Sequence, residues 1–219
     1  MCGSADSRER HRTFVVAICG ASGSVYGLRL VKALLEAGAR VFLIVSDAGR
    51  QVLGWETGYT GGSFPELLES RGLSAGAAAR LEVLDANDYF TAPASGSFRH
   101  DGMVICPASM GTLAAIASGN GSNLIHRAAD VSLKEKRKLI LVPRETPLST
   151  IHMENMLRAA RAGATILPAS PSFYGRPSTI EALVDTVVAR ILDHLDVPHD
   201  LVKPWGAACV PDGPDAFSC

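Results

Sequence analysis

Residues 13–45 constrain the fold of this chain more than any other stretch. Thr13 to Cys19 (TFVVAIC) is a short apolar run rich in β-branched side chains, which suits a buried strand. Gly20-Ala21-Ser22-Gly23-Ser24 breaks that run. A helical pattern follows from Val25 to Ala37, with Leu28, Val31, Leu34 and Leu35 on one face, and Gly38 closes it. Arg40 to Val45 (RVFLIV) is a second strand that ends at Ser46-Asp47. Strand, Gly-rich turn, helix and strand within about 35 residues make a βαβ unit. Neither strand alternates apolar and polar residues, so both faces of the sheet must be covered by helices. That is the mark of a mainly parallel sheet.

The alternation continues downstream. Gly58 to Gly62 reads as a loop, Phe64 to Arg71 as a short helix, and Leu81 to Leu84 as a third strand. Thr91 to Ser97 reads as an irregular, exposed loop. Met103 to Cys106 is a strand stopped by Pro107, followed by a small-residue helix over Met110–Ser118. Gly119-Asn120-Gly121 ends that helix, and Leu124 to Lys134 is helical again. Lys138 to Val142 is a strand ended by Pro143. His152 to Ala162 is a helix with Met153, Met156, Leu157 and Ala160 expected inward. Gly163 caps it, and Ala164 to Leu167 is a last strand. Ser178-Thr179-Ile180-Glu181 fits a capping box that opens a final apolar helix running to about Leu195. The expected fold class is α/β, a Rossmann-like three-layer sandwich around a mainly parallel sheet. Ligands of such sheets bind beyond the carboxyl ends of the strands. Four strand-exit loops therefore matter most: Gly20–Ser24, Ser46–Asp47, Pro107–Thr112 and Pro143–Thr146.

Composition narrows the function classes. With 219 residues the chain suits one domain. The expected division is a loose arm over 1–12, the domain over 13–205 and a tail over 206–219. A formal net charge of −1 provides no global basic field for nucleic acid or an anionic membrane. No apolar stretch approaches the ~20 residues of a membrane span, and the polar start lacks the apolar core of a secretory signal. A cytoplasmic location is the default expectation. The five cysteines include no C-x-x-C pair, there is no HExxH sequence and the six His are scattered, so neither a disulfide framework nor a metal site is expected.

The strand-exit loops carry the chemistry. The small residues of Gly20–Ser24 let backbone N–H groups and a helix N-terminus approach an anion or a flat ring; a tight turn with a helix cap explains them equally well. The loop is neither G-x-G-x-x-G nor a Walker A sequence. Pro107-Ala108-Ser109-Met110-Gly111-Thr112 is a second such turn, with a plain Ser N-cap as its other reading. In Pro143-Arg144-Glu145-Thr146-Pro147, two prolines flank an Arg-Glu pair directly after a strand. A fork-shaped guanidinium suits a phosphate, and the carboxylate suits proton handling. Tyr174 lies in a loop before the final helix. Arg190 is flanked by Val187, Val188, Ile191 and Leu192, where a cation snorkels or pairs with a buried anion. Lys134 lies in a charged run that by itself reads as a solvated face, and Glu56 follows Val52-Leu53-Gly54-Trp55.

Taken together and in order, these segments resemble the UbiX-type flavin prenyltransferases. The resemblance runs from about Thr13 to Trp205. It is carried by GASGSVYGLRL (Gly20–Leu30), Ser46, WET (Trp55–Thr57), PASGS (Pro93–Ser97), MVICPASMGTLAAIA (Met103–Ala117), NLIHRAADVSLKE (Asn123–Glu135), LVPRETPLSTIHMENM (Leu141–Met156), ILPASPSFY (Ile166–Tyr174) and VVARILD (Val187–Asp193). It implies a flavodoxin-type domain in a homododecamer, with FMN and the prenyl donor at subunit contacts. It implies transfer of the dimethylallyl group from dimethylallyl phosphate to N5 and C6 of reduced FMN, closing a fourth ring. The product would serve a UbiD-type decarboxylase in ubiquinone or aromatic acid metabolism. By position, Gly20, Ala21, Ser22, Ser46, Ala108, Ser109, Met110, Gly111 and Arg144 match FMN-contacting residues. Tyr174 and Arg190 match residues that hold dimethylallyl phosphate, and Arg144 is counted with them. Lys134 matches a further phosphate-binding lysine, Trp205 a pocket-lining aromatic, and Glu56 and Glu145 acidic residues near the reacting flavin. Glu56, Glu145, Ser22 and Lys134 form the expected catalytic set.

The chemistry suits these residue types. Breaking the allylic C–O bond leaves an allylic cation and a phosphate, and Lys134, Arg144, Arg190 and the Tyr174 hydroxyl would stabilise the charge growing on that phosphate without a metal. The flavin ring and Trp205 would offer π-faces to the cation, and Glu145 or the released phosphate is the candidate base. Many relatives carry Cys where Ala108 stands, so no thiol is required and Cys106 is expected to be structural. Asp47 after Ser46 is a second departure. The alternative reading is a flavin-dependent cysteine-type decarboxylase of the same fold, which shares a P-x-S-x-x-T loop. It uses a catalytic His upstream of that strand, where this chain has Pro93–Ser97.

Overall fold

The structure, a computed structural model, describes residues 11–203; most of the expected arm, the whole expected tail and Trp205 lie outside the described residues. Strands β1 (Thr13–Ile18), β2 (Arg40–Val45), β3 (Leu81–Asp85), β4 (Gly102–Ala108), β5 (Leu139–Pro143) and β6 (Thr165–Ile166) form one sheet in the order β3-β2-β1-β4-β5-β6. Every pairing is parallel; Val16 lies opposite Leu43 on one side and Val104 on the other. The helices are α1 (Ser24–Glu36), α2 (Asp47–Thr57), α3 (Phe64–Glu69), α4 (Ala75–Ala78), α5 (Met110–Ala117), α6 (Leu124–Lys134), α7 (Thr150–Ala162) and α8 (Ile180–His194).

Successive side chains of a strand point to opposite faces, and β1 splits accordingly. Phe14, Val16 and Ile18 join a core with Leu30, Leu34, Val188 and Ile191 from α1 and α8. Val15 and Ala17 join a second core with Leu113, Ile125 and Ala159 from α5, α6 and α7. From β1 the chain works outward through β2 and β3, then crosses back to β4. The reversal opens a crevice between the carboxyl ends of β1 and β4, where doubly wound sheets bind ligands. Its floor is tied by the Cys19 N–H, which donates to the Pro107 carbonyl at 3.1 Å.

Several local expectations are corrected. Pro107 does not stop its strand, whereas Pro143 is the last residue of β5. β4 continues through a register shift to Ala108, which lies opposite Pro143. Proline loses its donor but keeps its acceptor, and the Pro143 carbonyl accepts from the Ala169 N–H at 3.0 Å. The Cys106–Pro107 and Thr146–Pro147 peptide bonds are cis. Thr91–Ser97 contains a 3-10 turn at Ala92–Ala94 with Pro93 buried, so it is less exposed than expected. The capping box does not form at Ser178: Thr179 caps α8, accepting from the Ala182 N–H at 3.1 Å. A capping box does form at α7, between Ser149 and His152. The expected inward face of α7 is also displaced. Ala159 is buried and Met156 half-buried, whereas Met153, Leu157 and Ala160 are exposed. Helices α2 and α4 were not expected. Among the described residues no helix is long and apolar enough to cross a membrane.

Candidate active site

The site begins where β1 gives way to α1. Gly23 takes φ 107°, a left-handed conformation that suits glycine. A side chain at Gly20 would bring its Cβ to 2.6 Å from the Cβ of Ala48, so the loop packs directly on the start of α2. That helix buries Leu53 in the core on the α1 side of the sheet. It leaves β2 at Ser46, whose hydroxyl accepts from the Gly49 N–H at 3.0 Å, and ends with Glu56 at the N-terminus of α1. The two carboxylate oxygens of Glu56 accept from the Gly23 N–H at 2.9 and 3.1 Å, and one of them also accepts from the Ser24 N–H at 2.8 Å. Burial alone would raise this carboxyl's pKa. The Ser22 hydroxyl and the Gly23 and Ser24 N–H groups outweigh burial and hold the group below its usual range. The anion at the Gly-rich turn is thus the chain's own carboxylate.

The remaining strand exits close around the same crevice. Arg144, half-buried after β5, donates from Nε to the Ser22 carbonyl at 3.1 Å. Glu145 is exposed and accepts from the Thr146 N–H at 3.0 Å. At the start of α5 the Ser109 hydroxyl accepts from the Thr112 N–H at 3.2 Å and donates to the Thr112 hydroxyl at 3.0 Å. Ala108 and Met110 are buried, and a Cβ at Gly111 would meet nothing within 4 Å, so the first turn of α5 opens on free space. The Cys19 thiol is pushed up to about 11 by burial, against hydrogen bonds with Thr112 and Ser109, and burial also raises Cys106. Both stay neutral thiols, in line with a structural role for Cys106. Thr112 lies in the expected Pro107–Thr112 turn but is absent from the expected site residues; its place three residues after the Ser109 cap is the signal that marks it.

Two expected members stand apart from this group. Lys134 ends α6, pairs with Glu135 and lies against Gly96, near the chain's re-entry into the amino end of β5. Strands of five to seven residues put the two ends of this sheet roughly 20 Å apart, beyond a lysine's reach. Arg190 lies about 15 Å down α8 from its start, near the end where Lys138 donates to the His194 carbonyl at 2.9 Å. It neither snorkels nor meets a buried anion. Its side chain is 65% exposed and pairs with Asp193 at 2.7 Å. Tyr174 is exposed, in a loop whose Ser172 N–H donates to the Thr186 hydroxyl of α8 at 3.0 Å. A single subunit therefore gathers Gly20–Ser24, Ser46, Glu56, Ala108–Gly111, Arg144 and Glu145, but not Lys134 or Arg190.

The chain is 47% identical over 193 residues to the flavin prenyltransferase UbiX of Pseudomonas aeruginosa, a match covering 87% of this chain and 92% of the relative. It belongs to the UbiX-type flavin prenyltransferases. The broader family profile described as Flavoprotein matches residues 3–192. Among solved UbiX-type structures, AnUbiX (PadA1) in complex with FMN and dimethylallyl pyrophosphate superposes with a TM-score of 0.80 at 40% identity, covering 91% of this chain and 100% of that one. A dodecameric FMN-dependent UbiX-like decarboxylase from Escherichia coli gives a TM-score of 0.75 at 40% identity, covering 85% and 96%. Identity at this level to UbiX-type chains does not favour the cysteine-decarboxylase alternative.

Proposed function

We propose that this chain transfers the dimethylallyl group of dimethylallyl phosphate to N5 and C6 of reduced FMN, for use by a UbiD-type decarboxylase. The observation that carries the reading is the convergence of Glu56, Ser22 and Arg144 over the β1–β4 crevice in a chain so similar to a flavin prenyltransferase. The donor set fits FMN. The open first turn of α5, the Ser46 cap and the Arg144 fork suit one phosphate and a flat ring, and the first turn of α1 is already committed to Glu56. Gly20, Ala21, Ser22, Ser46, Ala108 to Gly111 and Arg144 would hold it. Reduced FMN supplies the two nucleophilic positions.

The chain's own residues supply the rest. Arg144, with Lys134, Tyr174 and Arg190 of neighbouring copies, would neutralise the departing phosphate. A closed oligomer, a dodecamer, brings those copies together. Trp205, beyond the described residues, would cover the donor. Glu56, held ionised, gives a fixed negative charge at the rim and can relay a proton with Ser22. Glu145, exposed beside Arg144, is the candidate base. A cytoplasmic location belongs to the same reading. Anaerobic incubation with reduced FMN and dimethylallyl phosphate, followed by mass spectrometry, tests it. The expected result is a flavin heavier by one dimethylallyl group. Unchanged flavin, with turnover of a cysteinyl peptide instead, would overturn it.

A further inference from the structure

The carboxylate of Asp193 is shared between two partners. One oxygen accepts from Arg190 at 2.7 Å and the other faces the Nε2 of His199 at 3.1 Å. The imidazole is only 13% exposed, and its Nδ1 is buried without a hydrogen-bond partner among the described residues. Among the described residues its one side-chain polar contact is to Asp193. We propose that Asp193 and His199 are positioning residues that present Arg190 to the phosphate of the prenyl donor. This rests on the assignment of Arg190 to that phosphate.

Asp193 occupies one NH1 donor of a guanidinium that has five N–H donors in a fixed fork, so the remaining edge stays available for a phosphate. An exposed arginine samples many rotamers, and ordering it on binding weakens the complex. An anchor three residues along the same helix narrows that range in advance. The same geometry would be loose if Asp193 could turn freely. The largely buried His199, reaching back from beyond the end of α8, fixes the plane of the carboxylate. This is a through-residue effect: neither Asp193 nor His199 need touch the donor.

The test compares steady-state kinetics of Arg190→Ala, Asp193→Asn, His199→Ala and His199→Gln in the full-length protein. FMN affinity and melting temperature are recorded for each. Exposed ion pairs of this kind are weak, so Asp193→Asn should raise KM for dimethylallyl phosphate by about 2- to 5-fold, with kcat and FMN affinity close to the parent. His199→Ala should do the same. His199→Gln, which keeps a donor able to reach Asp193, should recover most of the loss. In an Arg190→Ala background, Asp193→Asn should add nothing further. A raised KM in Arg190→Ala with an unchanged KM in Asp193→Asn would overturn the positioning role and leave Arg190's assignment standing. An unchanged KM in Arg190→Ala would remove the assignment, and the positioning role with it. An Asp193→Asn effect that persists without Arg190 would also overturn it, since the carboxylate would then act by another route.

Discussion

The imidazole of His100 lies just before β4, 8% exposed, with Nε2 3.4 Å from the Ser132 hydroxyl. Burial, and then the positive charge of Arg137, lower its pKa to about 4, against the Gly102 backbone and the Asp101 carboxylate, which favour the proton. The unfolded chain takes up this proton near pH 6.5, while the folded chain refuses it until about pH 4. The stability that His100 contributes as a neutral group is therefore complete above about pH 7 and declines as pH falls toward 4. By pH 5 the loss is roughly 2 kcal/mol. Denaturant unfolding at pH 7 and pH 5 should show a smaller acid loss for His100→Gln than for the parent. Equal losses in the two proteins would place the acid sensitivity elsewhere. No sequence pattern marks this residue, because its behaviour comes from what covers it. Gly20, Ser22, Ser109 and Arg144 were legible, because each follows a strand that the sequence itself delimits.

Helix α7 carries an apolar row that its own subunit does not use. Met153 and Leu157, four residues apart and so neighbours on one face, are each 50% exposed, while Ala159 is buried against the sheet. The sequence marks apolar residues on this helix but not which way they face, since periodicity reports that a face is apolar and not what lies against it. If this face is covered by a second copy of the chain, a charge placed on it should weaken assembly. Leu157→Glu should leave the fold intact by circular dichroism and lower the mass seen by light scattering; an unchanged mass would show that α7 lies outside the subunit contacts. Helix α2 escaped for the opposite reason. It buries only Gly49 and Leu53 and contains two helix-weakening glycines, so it has no stripe to read. Its last turn carries Glu56 to the start of α1.

At the scale of the whole molecule, the parallel sheet decides which charges can meet. The sequence grouped Lys134, Arg144 and Arg190 by chemistry. The topology separates them, with Arg144 at the carboxyl ends of the strands and Lys134 at the amino ends. If Lys134 serves a neighbour's site, Lys134→Ala and Arg144→Ala subunits should each be inactive alone and complement one another when co-expressed. Random mixing would give about a quarter of the sites both native residues. No recovery in mixed oligomers would mean that Lys134 is not shared between subunits. The anchoring of Glu56 has a consequence of its own. In sheets wound this way, the first turn of the helix after β1 is the berth of a dinucleotide's pyrophosphate. Here a resident competitor holds that berth, and a diphosphate could dock only by evicting Glu56 and bearing its repulsion. The folded chain thus carries, before any ligand arrives, a charge that works against a diphosphate at this turn.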